Sequence, residues 1–324
     1  MLKEKDLINA ARREKKTIVL PEVAFSERTA SAAFIIGKKK IANLILIGDD
    51  SAMVLRDKRI NRFQIINPKT SELTEMLAKS MYKIRKDKGL TLEEAKELIL
   101  DPYYFGTMLV KEGYADGMVG GAECAAAKIL KPALQIIKAK KDGDLVSSCF
   151  LVLSKSGVFK NREVILSDCG INENPTGSEL VQIANASVRT AQSLGMVPKL
   201  AFLSYSTHGS AKGELVDKVK TAVKGFKNSD VVFDGELQFD AAVNESVAKI
   251  KCPDSPLKGQ ANVLVFPNLE AGDMCYKAIK YTSEAVTIGR IVQGLNNPVN
   301  CLPRDCSVDD IVVLTAVTVI QCKN

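Results

Sequence analysis

The sequence contains no tryptophan and a single histidine, His208, among its 324 residues. Because a Ser-His-Asp or Cys-His mechanism needs an imidazole, only His208 is available for one, and a histidine-rich metal site is excluded. The eight cysteines include no CxxC pair, which argues against a structural zinc site and a thioredoxin-like motif. We interpret them as reduced, buried thiols, because several lie in apolar runs.

The sequence also lacks a long apolar run. The uncharged stretch from Ile311 to Gln321 is shorter than the ~20 residues that a membrane helix needs. The first residues, MLKEKD, are charged and lack the apolar centre of a signal peptide. The 45 basic and 38 acidic residues give a net charge of +7, which suits small anionic ligands and is too diffuse for nucleic acid. We expect a cytoplasmic protein without membrane or nucleic-acid partners.

Short β-rich runs alternate with longer segments of helical spacing. Strands are predicted at 17–20, 43–48, 63–66, 117–121, 149–153, 164–167, 200–204, 231–233 and 263–266. Helices are predicted at 26–36, 92–100, 103–114, 125–138, 178–194, 214–226, 241–250, 273–282 and 311–320. This order predicts an α/β fold with parallel sheets covered on both faces, and the polar residues 140–144 suggest a boundary between two series.

In such folds ligands bind beyond the carboxyl ends of strands, so the loops that follow strands are informative. The loop at 205–213 contains the hydroxyls of Ser206, Thr207 and Ser210 and a lysine before a helix. Small residues and hydroxyls at a helix N-terminus can hold an anion. The same residues are equally compatible with an ordinary capped turn between strand and helix.

Two further loops contain carboxylates. The first loop contains the carboxylates of Asp234, Glu236 and Asp240, which are candidates for a metal site or for general bases. Alternatively, Asp240 caps the next helix and the other two pair with lysines. In the loop before the last helix, Ser307-x-x-Asp310 has the spacing of a capping box, on which reading Asp310 serves only the helix end.

Six motifs, in this order along the chain, resemble those of phosphate acetyltransferases, and the similarity covers essentially the whole sequence. They are DPYYFGTMLV at 101–110, ADGMV at 115–119, PALQII at 132–137, SYSTHGSA at 204–211, DGELQFDAA at 234–242 and QGLNNPVN at 293–300.

The resemblance implies the reversible reaction of acetyl-CoA with phosphate to give acetyl phosphate and CoA. It also implies two three-layer αβα domains with mostly parallel sheets and an interdomain cleft, as in isocitrate and isopropylmalate dehydrogenases. The expected boundaries are 1–143 with 297–324 for the first domain and 144–296 for the second. A cytosolic homodimer that needs no cofactor apart from CoA as substrate is expected.

Roles also follow from the resemblance. Asp310 matches the family's catalytic aspartate, and Arg304 matches its catalytic arginine. Asp310 is expected to take the CoA thiol proton, and Arg304 to stabilise the oxyanion. The expected substrate-binding residues are Arg28, Arg85, Lys131, Ser206, Thr207, Ser210 and Arg290.

The sequence departs from the family pattern near this site. Glu123-Cys124-Ala125 follows Gly121-Ala122 where the family has His-Ser-Thr, and Lys131 replaces an arginine. Pro303 replaces a serine, Asp305 a glycine and Arg290 a proline. These changes leave two alternatives: a weakened sensor of acetyl-CoA or acyl phosphate, and a transferase for propionyl or butyryl groups. Arg290 is a candidate replacement for the lost phosphate contact, and His208 is either a CoA contact or a surface residue.

Overall fold

A computed structural model describes residues 2–49, 53, 58–140 and 144–323. By their internal contacts the residues divide into two compact units. The first unit comprises Glu4–Lys140 and Leu295–Asn324, and the second comprises Met1–Lys3 and Lys141–Gly294. The sequence predicts these divisions at 143/144 and 296/297. Residues 141–143 of the predicted polar break lie outside the described residues.

The strands are β1 Thr17–Leu20, β2 Asn43–Ile47, β3 Gln64–Ile66, β4 Gly117–Gly120, β5 Ser147–Leu153, β6 Glu163–Ser167, β7 Lys199–Leu203, β8 Val232–Leu237, β9 Val263–Val265, β10 Val286–Gln293 and β11 Val299–Cys301. The helices are α1 Glu4–Glu14, α2 Glu27–Lys38, α3 Leu73–Arg85, α4 Leu92–Leu98, α5 Pro102–Lys111, α6 Ala126–Pro132, α7 Gly177–Ser193, α8 Glu214–Gly225, α9 Phe239–Val243, α10 Glu245–Lys251, α11 Leu269–Thr282 and α12 Val308–Gln321.

The first unit is built on a five-stranded parallel sheet with the order β11-β4-β1-β2-β3. Helix α12 packs against both α1 and α2, and helix α5 packs against both α3 and α6. Gly106 lets α5 approach the sheet closely, because a Cβ there would lie only 2.8–3.1 Å from side chains of Met118, Val19 and Ile47. All ten residues from Ile311 to Ile320 are buried, which explains the apolar character of α12.

The second unit contains a six-stranded sheet with the order β10-β5-β6-β9-β7-β8. Strand β5 is antiparallel to both of its neighbours, and the other pairs are parallel. Helices α7 and α8 pack together, and α11 contacts β10 and β6. Phe150 of β5 stacks on Tyr276 of α11 with ring centroids 4.0 Å apart. The predicted α/β class with mostly parallel sheets is confirmed.

The predicted helix at 241–250 is wrong in detail. It is two helices, α9 and α10, which meet at Asn244, and the Asn244 side chain accepts hydrogen bonds from Ser246 and Val247 at the start of α10. Asp240 does not cap the helix, since Gln238 is the N-cap of α9 and Asp240 lies in its first turn. Within the described part of the chain, no helix combines the length and apolar character needed to cross a membrane.

Candidate active site

The loops that follow β1, β4 and β11 meet at one edge of the first unit's sheet. These strands are adjacent and parallel, so their carboxyl ends share that edge. The loops contain Glu22, Glu123 and Arg304, and the helices that leave them contain Arg28 and Asp310. The edge therefore brings together three of the residues predicted for the site.

Glu22 organises the loop after β4, although its side chain is fully buried. Its Oε2 accepts hydrogen bonds from the backbone N–H groups of Gly121 and Ala122, both at 2.9 Å. Its Oε1 accepts from the Tyr103 hydroxyl at 3.0 Å and from the Glu123 N–H at 3.2 Å. This role is not evident from the sequence, in which the only signal for it is a carboxylate directly after a strand.

Arg28, in the first turn of α2, contacts both neighbouring loops. Its Nη1 donates to the carbonyl oxygens of Arg304 at 2.9 Å and Cys306 at 2.7 Å. Its Nη2 donates to the carbonyl of Ala122 at 2.7 Å and to Glu123 Oε1 at 2.9 Å. Arg28 is therefore engaged with the protein itself, and its predicted contact with substrate stays a prediction.

Asp310 forms the capping box of α12 with Ser307. Asp310 Oδ2 accepts a 2.8 Å hydrogen bond from the Ser307 N–H, and the Asp310 N–H donates to Ser307 Oγ at 3.1 Å. The predicted capping box is thus confirmed. Among the described residues, none donates a hydrogen bond to the other carboxylate oxygen, Oδ1. The side chain is half-buried, so Asp310 can cap the helix through Oδ2 and accept a proton at Oδ1.

Arg304 lies in the turn before α12, which is closed by a 3.0 Å hydrogen bond from the Cys306 N–H to the Pro303 carbonyl. Residue 304 is exposed, and its main-chain carbonyl is the group that Arg28 binds. The guanidinium and the Asp310 carboxylate are thus presented by one short segment of chain.

The nearby thiols are poor nucleophiles. Burial raises the pKa of Cys306 to about 11, although Arg28 lowers it in part. Burial likewise raises the pKa of Cys124 to about 11, and a hydrogen bond with Tyr103 opposes this increase. Because a thiolate is the reactive form, both thiols are less nucleophilic at neutral pH than an ordinary exposed cysteine.

Arg85 and Lys131 lie elsewhere in the first unit. Arg85 ends α3, and its charge partly offsets the rise in the pKa of Tyr104 that burial and Asp101 cause. The Tyr104 hydroxyl donates to Gln135 Oε1 at 3.3 Å. Lys131 is exposed in the last turn of α6, four residues before Gln135. Arg85 thus acts electrostatically on Tyr104, and the Tyr104 hydroxyl binds Gln135, four residues after Lys131.

In the second unit, the loop predicted to bind an anion holds a carboxylate of the protein. Glu236, at the end of β8, is 3% exposed. Its Oε1 accepts hydrogen bonds from Ser206 Oγ at 2.9 Å and from the Gly209 N–H at 2.7 Å, and Lys220 Nζ lies 3.9 Å away. The pairing of Glu236 with a lysine is confirmed.

Most of this loop's other donors also serve protein acceptors. The backbone N–H of Thr207 binds Ser210 Oγ at 2.9 Å, and that of Ala211 binds Ser206 Oγ at 3.0 Å. The Thr207 hydroxyl accepts from the Gln238 N–H at 2.9 Å. Ser206 and Thr207 are buried, whereas Ser210 is exposed. For a substrate, Ser210 is therefore the accessible hydroxyl of the three.

Glu236 gives a pH prediction. Burial alone would raise the pKa of Glu236, but the Gly209 and Ser206 hydrogen bonds and the charge of Lys220 lower it below its usual 4.5. A carboxylate whose pKa is depressed by folding contributes stability above its unfolded pKa and loses it as pH falls through the folded pKa. We expect the free energy of unfolding of wild type to fall more steeply than that of Glu236→Gln between neutral pH and about pH 3.

Urea unfolding across this pH range measures the effect. Glu214→Gln, which changes an exposed carboxylate at the start of α8, is the matched control and should keep the wild-type pH dependence. Equal slopes for Glu236→Gln and wild type would contradict the assignment.

His208 and Asp168 complete the loop edge of this sheet. His208 Nε2 lies 3.1 Å from Asp234 Oδ2, with the imidazole 37% exposed, and within the described residues the ring makes no hydrogen bond with a serine or cysteine. Asp168, after β6, is buried and accepts from Ser148 Oγ at 2.5 Å, the Gly170 N–H at 2.9 Å and the Asn172 N–H at 3.0 Å. No group of three or more His, Cys, Asp or Glu in the described ranges is arranged to hold a metal ion.

Arg290 lies in β10, with its guanidinium carbon 5.8 Å from the centroid of the Phe150 ring. Its Nε is buried and has no hydrogen-bond partner among the described residues. The side chain passes over Gly170, where an added Cβ would collide with it. The structure thus explains how the unusual arginine is accommodated, and its predicted contact with phosphate stays a prediction.

Comparison with known proteins identifies the family. The family model described as "Phosphate acetyl/butaryl transferase" matches residues 2–319. A phosphate acetyltransferase of Thermoanaerobacterium thermosaccharolyticum is 47% identical over 98% of both chains. The chain belongs to the phosphate acetyl/butyryl transferase family. The resemblance recognised from the six motifs is confirmed, and the protein is an acyltransferase.

Solved structures agree with this family assignment. A phosphotransacetylase from Streptococcus pyogenes is 37% identical, with a TM-score of 0.90 and 99% coverage of both chains. The 4-hydroxythreonine-4-phosphate dehydrogenase of Klebsiella pneumoniae is 12% identical, with a TM-score of 0.53 over 95% of this chain and 98% of that chain. The second likeness shows the fold alone, and it confirms the predicted dehydrogenase-like architecture of two αβα domains.

Proposed function

We propose that this transferase moves an acetyl group between CoA and inorganic phosphate. The observation that carries the proposal is the segment from Arg304 to Asp310, which presents a guanidinium and a carboxylate beyond the carboxyl end of β11. An acyl transfer needs a group that takes a thiol proton and a group that stabilises an oxyanion, and these two side chains supply both.

In the direction of acetyl-CoA synthesis, Asp310 Oδ1 takes the proton of the CoA thiol. The thiolate sulfur attacks the carbonyl carbon of acetyl phosphate, and Arg304 stabilises the negative charge on the carbonyl oxygen. The tetrahedral intermediate collapses as the carbon–oxygen bond to phosphate breaks, and phosphate leaves with the electron pair. The proton on Asp310 then passes to solvent or to phosphate.

Cations hold the phosphate groups in this proposal. Arg85, Lys131 and Arg290 are the proposed cationic contacts. Ser210 is proposed to add a hydroxyl, while Ser206 and Thr207 act through the shape of their loop. An arginine can offer two parallel hydrogen bonds to a phosphate, whereas Lys131 offers a point charge. The proposal needs no cofactor besides CoA as substrate, and it includes a homodimer as the working assembly.

The test is release of CoA from acetyl-CoA by the purified protein in the presence of phosphate. Because the protein has eight cysteines, the thiol reagent is added only after quenching. We expect phosphate-dependent release at roughly tens per second or faster. Sulfate at equal ionic strength is the matched control, since it provides a similar anion that should not support release.

Absence of release would overturn the proposal. If calorimetry then shows that acetyl-CoA still binds, the result favours a sensor. Release that requires propionyl-CoA or butyryl-CoA would retain acyl transfer and replace the acetyl group.

A further inference from the structure

The terminal nitrogens of Arg28 already have a full set of acceptors. Each carries two hydrogens, and each contacts two oxygen atoms of the protein: Arg304 and Cys306 carbonyls for Nη1, the Ala122 carbonyl and Glu123 for Nη2. The distances lie between 2.7 and 2.9 Å. No pair of terminal N–H groups is left for a bidentate bond to a substrate phosphate.

Glu123 holds Arg28 in this arrangement. Glu123 Oε1 also accepts a 2.8 Å hydrogen bond from Ser26 Oγ, and Ser26 is the N-cap of α2. The hydrogen bond from Arg28, followed by that from Ser26, lowers the pKa of Glu123, and the hydrogen bond to Glu123 raises the pKa of Arg28. Both groups are charged at neutral pH. To bind Arg28 Nη2, a phosphate would have to displace the Glu123 carboxylate, which accepts hydrogen bonds from both Arg28 and Ser26.

The two Nη1 bonds act on the turn that carries Arg304. They bind the carbonyls on either side of Asp305, beside the Cys306 N–H bond to the Pro303 carbonyl at 3.0 Å and the Leu302 N–H bond to the Gly120 carbonyl at 2.7 Å. Loss of these bonds would let the turn shift and would displace the Arg304 guanidinium. This matters because catalytic groups must be held within a fraction of an ångström.

We propose that Arg28 is a positioning residue that fixes the Arg304 turn against the loop after β4, instead of a ligand of substrate phosphate. The proposal rests on the proposed acyl transfer, in which Arg304 stabilises the oxyanion. The proposal also assigns a role to Glu123, which departs from the family pattern. Glu123 accepts a hydrogen bond from Arg28 Nη2, the terminal nitrogen that does not bind the Arg304 turn.

Arg28→Lys is the principal variant, because it retains a cation but removes the planar fork. We expect kcat to fall about 10- to 100-fold while KM for CoA and for acetyl phosphate changes by less than about 3-fold. Amide hydrogen exchange should become faster in peptides covering 120–124 and 302–307, with the melting temperature close to wild type. Guanidine added to Arg28→Ala should restore part of kcat. Arg189→Lys, an exposed arginine of α7, is the matched control and should match wild type.

An increase of about 10-fold or more in KM for CoA or acetyl phosphate, with kcat unchanged, would identify Arg28 as a ligand and overturn the proposal. Unchanged exchange in both peptides would also overturn it. If wild type itself transfers no acetyl group, the proposed function fails, and the exchange experiment still decides whether Arg28 fixes the turn.

Discussion

Asp310→Asn is expected to reduce the turnover of acetyl-CoA with phosphate by roughly 10²- to 10⁴-fold, the usual contribution of a general base. The amide has the shape of the carboxylate, and its oxygen can still accept the hydrogen bond that Asp310 Oδ2 receives from the Ser307 N–H. The capping box is therefore retained, whereas an amide cannot take the proton of the CoA thiol. Steady-state release of CoA gives kcat, and thermal unfolding checks that the fold is kept.

Two variants separate catalysis from capping. Asp309→Asn removes an exposed charge from the same first turn of α12 without touching the box, and it should keep wild-type turnover. Ser307→Ala removes the capping hydroxyl and leaves the carboxylate, with an expected loss of about 1 kcal/mol in stability. Turnover of Asp310→Asn within about 10-fold of wild type would show that Asp310 serves the helix end alone.

Most regular elements could be predicted because their signals are local, whereas α1, α3, β10 and β11 were not predicted. β1 and β2 are short apolar runs that end at turn residues. The sequences Thr91-x-x-Glu94 and Thr176-x-x-Glu179 have the spacing of capping boxes, and both boxes form. The helix at 241–250 was predicted as one because its apolar spacing continues through Asn244. That asparagine starts a new helix with its own side chain, and helical periodicity does not register such a break.

The site could be predicted only in part from sequence. The motifs and the spacing from Ser307 to Asp310 located the loop that holds Arg304 and Asp310. The acceptors of Arg28 could not be predicted, because they are mainly backbone carbonyls 94–278 residues away in the chain. The contacts of Glu22 and Glu236 could not be predicted either. Both side chains are buried and accept hydrogen bonds from backbone N–H groups of the adjacent loops. Residue type shows that a group can bind an anion, but not whether the protein already supplies one.

Arg304→Ala is expected to lower kcat by roughly 10²- to 10³-fold, the cost of removing one donor to a developing oxyanion. The loss should fall on kcat with little change in KM for phosphate, because the oxyanion exists only in the transition state. The hydrogen bond from Arg28 is made to the Arg304 main-chain carbonyl, so truncation of the side chain leaves the turn in place. Initial rates at varied phosphate and acetyl-CoA give both constants.

Arg304→Lys tells charge apart from geometry. A lysine retains the positive charge but offers a compact, strongly hydrated ammonium in place of the fork, so partial recovery of kcat relative to Arg304→Ala indicates an electrostatic role. Arg189→Ala, an exposed arginine of the second unit, controls for the loss of a surface cation and should leave both constants unchanged. A rise in KM for phosphate at unchanged kcat would instead identify Arg304 as a phosphate ligand. The oxyanion would then need another donor from the same sheet edge. The backbone N–H groups of Gly121 and Ala122 at that edge already donate to Glu22.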